Sequence, residues 1–98
     1  MITNINYNHL YYFWQVSKHG SIAAASKILN LTPQTVSSQI TNLEQRLGKP
    51  LFVRQGRGLQ LTEFGQVTQQ YTNDMFAIAH EWLETTQGDT TQYSRTLK

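Results

Sequence analysis

The chain has no cysteine, which excludes a disulfide framework and thiolate metal sites while leaving the compartment open. It has little charge, 14% of residues against 39% hydrophobic ones, a balance that predicts a folded chain rather than a disordered one. It also has no long apolar run. The densest stretches, Leu10–Trp14 and Met75–Ala79, are five residues each, far short of the roughly 18 that a membrane-spanning helix needs. The opening MITNINYNHL has no basic segment ahead of an apolar one, so no signal peptide is legible and a cytoplasmic protein without membrane contact is expected. Repeats and low-complexity tracts are missing too. At 98 residues the chain can build one modest core and not two.

The ingredients of catalysis are equally sparse. His9, His19 and His80 lie far apart with no carboxylate cluster beside them, and no nucleophile, base and orienting group come together. Neither an enzyme nor a metal or cofactor protein is expected.

What the chain does have is an uneven distribution of charge. Up to residue 62, Lys18, Lys27, Arg46, Lys49, Arg54 and Arg57 face one acid, Glu44. From residue 63 onward, Glu63, Asp74, Glu81, Glu84 and Asp89 outnumber Arg95 and Lys98. A basic half joined to an acidic one predicts that only the first half meets a polyanion.

Capping signals divide the chain. Asn8 is placed to cap a helix over about 9–18 with Gly20 ending it, and Leu10, Phe13 and Trp14 as its inner stripe. Ser21 caps a second helix over 22–29, whose Ile22, Ala25 and Leu29 share a face. Asn30 is a left-handed cap, Leu31 plugs the turn, and Thr32-Pro33 restarts a helix that runs to Leu47, stopped by Gly48. Val36, Ile40, Leu43 and Leu47 form its inner face. Extended segments at 51–54 and 59–61 flank Gln55-Gly56-Arg57-Gly58, a hairpin with a basic tip. Thr62 caps a helix over 63–87 with Glu63 in its first turn. The polar stretch from Gly88 is expected to be flexible.

Two helices meeting across the short turn Asn30-Leu31-Thr32 form a helix-turn-helix, whose second helix reads base edges in the major groove. Removing the inward positions leaves Pro33, Gln34, Thr35, Ser37, Ser38 and Thr41, short uncharged groups that, Pro33 apart, donate and accept hydrogen bonds. The Thr32 hydroxyl and the helix N-terminus can hold a phosphate. A merely solvated face remains the plain alternative, yet such a face would ordinarily carry Glu and Lys, which are better helix formers. Arg57, between glycines at the hairpin tip, suits a narrow minor groove, against the alternative of an ordinary turn arginine.

The long helix carries Phe64, Val67, Tyr71, Met75, Ile78 and Trp82 at intervals of three or four, with Phe76, Ala79 and Leu83 widening its lower part. Phe64 and Val67 are expected to close the domain core. Tyr71, Met75, Ile78, Ala79, Trp82 and Leu83 run past any core this domain can supply, and a second copy of the helix is the simplest cover, against the alternative of a helix folded back over its own domain. Tyr7, Tyr11, Tyr12 and Trp14 could stack on bases, but packing into a dimer is the stronger reading.

From Tyr7 to the end of the long helix the chain resembles the N-terminal domain of the LysR-type transcriptional regulators. The stretch Leu31–Gly65 carries the resemblance through Ser37, Gln39-Ile40, Leu43-Glu44, Leu47-Gly48, Leu51-Phe52, Arg54, Arg57, Leu61-Thr62 and Gly65. The chain departs from the family where Pro33-Gln34 replaces the common Gln-Pro, and where Ala24, Ser38, Thr41 and Asn42 stand in place of frequent arginines. The resemblance implies a base-reading surface over Thr32–Ser38, a wing contact at Arg57, and Lys27 and Arg54 near the DNA backbone. It also implies antiparallel pairing of the long helix and a larger effector-binding domain, so the chain is expected to be a truncated form, with a natural short form as the alternative. The opening Asn-Tyr-Asn-His-Leu-Tyr-Tyr-Phe-Trp and the run Leu-Thr-Pro-Gln-Thr look most like the branch that activates sodium/proton antiporter genes.

The expected fold is mostly α: a winged helix-turn-helix of three helices and a two-stranded wing over 5–62, with the helix-turn-helix about 21–41 and the wing about 51–61. A dimerisation helix over 63–87 and a tail over 88–98 follow. The expected function is sequence-specific reading of an interrupted inverted repeat in double-stranded DNA by a homodimer, with a tetramer open to the intact regulator and an effector ligand acting only through the further domain. The rivals are a protein-interaction module built on the long helix and a single-strand binder using the aromatic face.

Overall fold

A computed structural model describes residues 5–56 and 58–87; Arg57 and the tail from Gly88 lie outside the described residues. The elements in chain order are α1 (Tyr7–His19), α2 (Ile22–Leu29), α3 (Pro33–Leu47), β1 (Phe52–Gln55), β2 (Gly58–Leu61) and α4 (Glu63–Gln87). Helix α1 starts earlier than the sequence reading placed it. Asn6, held extended, accepts hydrogen bonds from the amides of Asn8 (2.8 Å) and His9 (3.4 Å), so it caps the helix in place of Asn8. The other caps fall where the sequence put them. Ser21 Oγ accepts from Ala24 N at 3.0 Å, Thr32 Oγ1 from Thr35 N at 3.1 Å and Thr62 Oγ1 from Gly65 N at 2.9 Å.

Three helices surround one core. Phe13 and Val16 from α1, Ala25 from α2, Val36, Ile40 and Leu43 from α3, and Leu51 ahead of β1 are all buried. Burial of each larger side chain is worth roughly 1.5–3 kcal/mol. Leu10 and Leu47 pack against this cluster from its margin. Trp14 leaves the expected inner stripe of α1 and faces α4, where its indole N–H donates to Asn73 Oδ1 at 2.8 Å. The wing is an antiparallel pair with Phe52 opposite Leu61 and Gln55 opposite Gly58, and Gly56 at φ +61° makes the turn.

Phe64 packs on the core as its periodicity indicated, but from Val67 onward helix α4 lies on α1 with a different face from the one expected. The buried positions are Gly65, Thr72 and Phe76, whereas Val67 is 50% exposed. Thr72 tolerates burial because its hydroxyl donates back to the carbonyls of Thr68 and Gln69. Phe76 is the hub of the contact, with ring centroids 5.1 Å from Tyr7, 5.3 Å from Tyr11 and 5.0 Å from Trp14. No helix among the described residues is long and apolar enough to cross a membrane.

Candidate nucleic-acid interface

The turn between α2 and α3 is built residue by residue. Asn30 adopts the left-handed conformation (φ 58°, ψ 44°), and Leu31 N donates to Ser26 O at 3.0 Å, closing the end of α2. Leu31 then packs on the core cluster. Thr32 turns the chain into α3, and Pro33 takes the first helical position, where its missing N–H costs nothing. Because Val36, Ile40 and Leu43 hold α3 by its inner face, the outer face of its first turns is fixed outward.

That outer face carries most of the side chains named from the sequence. Pro33, Gln34, Ser37, Ser38 and Thr41 are exposed, and Thr35 is half-buried. Thr32, exposed as well, uses its hydroxyl within the chain: it accepts from Thr35 N and lies 2.8 Å from the Thr35 hydroxyl. These two residues therefore organise the helix start. The groups left to meet a ligand are Gln34, Ser37, Ser38 and Thr41. They can donate and accept, carry no charge, and are short enough to let the backbone come close. Lys27 at the end of α2 and Arg54 on β1 are both exposed cations. Arg57, the expected wing contact, falls outside the described residues.

Glu44 has a role that the sequence reading missed. Its Oε2 accepts from Leu51 N at 2.7 Å and Phe52 N at 3.2 Å, tying the root of the wing to α3. The Leu51 carbonyl in turn accepts from Thr62 N at 3.0 Å, and Thr62 Oγ1 donates to Pro50 O at 2.8 Å. A Cβ at Gly65 would overlap that same Leu51 carbonyl oxygen, so glycine lets α4 close on the wing root. Helix α3, the wing and α4 thus meet at Leu51. The spacing of Glu44 to Leu51 was visible, but nothing in the sequence said that the carboxylate turns inward. With it turned inward, the single acid of the basic half spends its charge on backbone amides instead of repelling a polyanion.

On α4 the residues expected at a pairing face stand free. Tyr71, Ile78 and Trp82 are 68%, 65% and 62% exposed, Met75 and Leu83 are exposed to a smaller degree, and Ala79 is half-buried. Val67 extends this stripe upward instead of closing the core. The aromatic face of α1 is occupied within the chain, since Tyr7, Tyr11 and Trp14 surround Phe76. Its packing partner within the chain is therefore α4, while Tyr7, 53% exposed, leaves part of that face open. The described residues hold no group of three or more His, Asp or Glu side chains placed to bind a metal.

Comparison with known proteins agrees with this geometry. Residues 7–66 match the family model described as bacterial regulatory helix-turn-helix protein, lysR family. The chain is 49% identical over 83 residues to the transcriptional activator protein NhaR of Escherichia coli strain K12, covering 85% of this chain and 28% of that protein. It therefore spans little more than a quarter of the length of that relative. Among solved structures it is similar to the BenM DBD in complex with catB site 1 DNA, at TM-score 0.75 and 30% identity over 82% of this chain and 90% of that one. It is similar also to the CbnR DBD–DNA complex, at TM-score 0.72 and 28% identity over 84% and 94% of the two chains.

Proposed function

This chain belongs to the lysR family of bacterial regulatory helix-turn-helix proteins, and we propose that it is the DNA-reading part of a transcription regulator that binds an interrupted inverted repeat as a homodimer. The observation that carries the reading is the first half of α3, where hydroxyl and amide side chains stand outward on a helix clamped to the core by Val36, Ile40 and Leu43. Gln34 can pair bidentately with adenine, while Ser37, Ser38 and the Thr41 hydroxyl and methyl suit several base edges. Lys27, Arg54 and Arg57 meet the backbone and the minor groove, with Thr32, Pro33 and Thr35 holding the helix start against the phosphates. The dimer face is Tyr71, Met75, Ile78, Ala79, Trp82 and Leu83 together with Val67.

The domain limits follow from that division of labour: 5–62 reads DNA and 63–87 pairs. Regulation by a ligand, and any tetramer, belong to further chain of the kind that the longer relatives possess. The role is that of a binding protein and not of an enzyme, and it places the chain with bacterial DNA in the cytoplasm. Likeness to a transcriptional activator supports activation, and genes for sodium/proton antiporters are the target class that the first-helix sequence favours.

A gel-shift series separates this reading from its rivals. The expected result is a tight complex with an operator duplex, a weaker one with random duplex, and little with single strands. Equal affinity for all three would overturn sequence reading, and no complex at all would favour a protein-interaction module.

A further inference from the structure

Between α1 and the lower part of α4 runs an open groove with room for about 580 Å³, lined by Tyr7, Tyr11, Trp14, Phe76, Ala79 and Leu83 with Gln15 at its wall. The groove is largely apolar; Lys18 and His80 line it from exposed positions, whereas Gln15 is a buried polar group in its wall. Its side chain is 5% exposed, its Nε2 donates to the Tyr11 hydroxyl at 2.9 Å, and its Oε1 is buried with no hydrogen-bond partner among the described residues. A buried amide oxygen left unpaired is costly, which marks this wall as unfinished.

We propose that the missing donor is the indole N–H of Trp82 from a second copy of this chain, whose ring fills the groove. The inference rests on the homodimer reading and names what fixes its register. Trp82 is the largest exposed apolar group on α4, at 62% exposure, and a buried indole needs an acceptor for its N–H. Groove and stripe are continuous on the helix. At about 100° per residue, Ala79 lies between the Met75–Ile78–Trp82 stripe and the Phe76–Leu83 wall, and its methyl leaves the passage open.

Symmetry supplies the reach. If two antiparallel α4 helices cross at a two-fold axis near Ile78, Trp82 lies four residues to one side and comes to the level of Asp74 along the partner helix, four residues to the other. Asp74 is flanked by Asn73 and lies two residues from Phe76, the positions that hold Trp14, Tyr7 and Tyr11 of α1. The contact then occurs twice, each copy giving one donor and one acceptor. A single buried polar pair of this kind fixes register among otherwise interchangeable apolar contacts.

Sedimentation of the chain and of three variants, Gln15→Met, Trp82→Phe and the double substitution, tests the pair. Each single change is expected to weaken the dimer about tenfold, and the double change no more than about the larger single one, since both delete one hydrogen bond. Losses that multiply would overturn the pairing while leaving the dimer intact. So would a Gln15→Met dimer as tight as the original, because methionine then merely removes an unpaired acceptor. A chain that stays monomeric would overturn the homodimer reading and this one with it. Hydrogen exchange of the Trp82 indole in the unaltered dimer needs no variant: slow exchange is expected, and exchange at the rate of a free indole rejects the proposal.

Discussion

Gln34 and Ser38 stand exposed on α3 without a structural task, whereas Thr32 and Thr35 of the same run are engaged with each other. The sequence marked Thr32 as a cap but left Thr35 equivalent to the residues after it, since a hydroxyl that serves the helix start and one that reads look alike until their partners are known. Gln34→Ala or Ser38→Ala is therefore expected to cost roughly 1–3 kcal/mol on the operator and little on random duplex in titrations of each variant. Equal losses on both would make α3 a backbone contact. Glu44 gives the opposite kind of residue, one whose work is internal. Glu44→Ala leaves the amides of Leu51 and Phe52 unpaired and is expected to lower stability by about 1–3 kcal/mol in denaturant unfolding. Glu44→Gln, which keeps an acceptor, should recover most of that loss.

Helix boundaries were legible because Ser21, Asn30, Thr32, Gly48 and Thr62 carry capping chemistry that acts over three or four residues. The face of α4 was not. Its large apolar side chains form a regular stripe, and the regularity made Val67 look like core. Phe64 still packs on the core, but from Val67 onward the structure turns that stripe outward and buries Gly65, Thr72 and Phe76: Gly65 lets α4 close on the Leu51 carbonyl, and the self-satisfied Thr72 lets it approach α1. In a monomeric background made with Ile78→Glu and Trp82→Glu, the two faces separate cleanly. Phe76→Ala is expected to destabilise the domain by about 3–5 kcal/mol, while Val67→Ser should stay within about 0.5 kcal/mol by thermal unfolding. Comparable losses at the two positions would restore the face read from the sequence.

Across the whole molecule, the proposed function assigns binding to the basic half and pairing to the acidic α4. If each copy brings Lys27, Arg54, Arg57 and one further cation to phosphates, about eight charges are neutralised, and log K should fall against log salt with a slope near about −7. A slope shallower than about −2 would remove the basic half from the DNA. One helix-turn-helix contacts too few base pairs to choose a site in a genome, and two in fixed relation multiply the discrimination. Selection of bound sequences from a random duplex pool by the 98-residue chain tests that relation most directly. The expected product is a pair of half-sites in inverted orientation at one fixed spacing; recovery of a lone half-site, or of no common sequence, would contradict it.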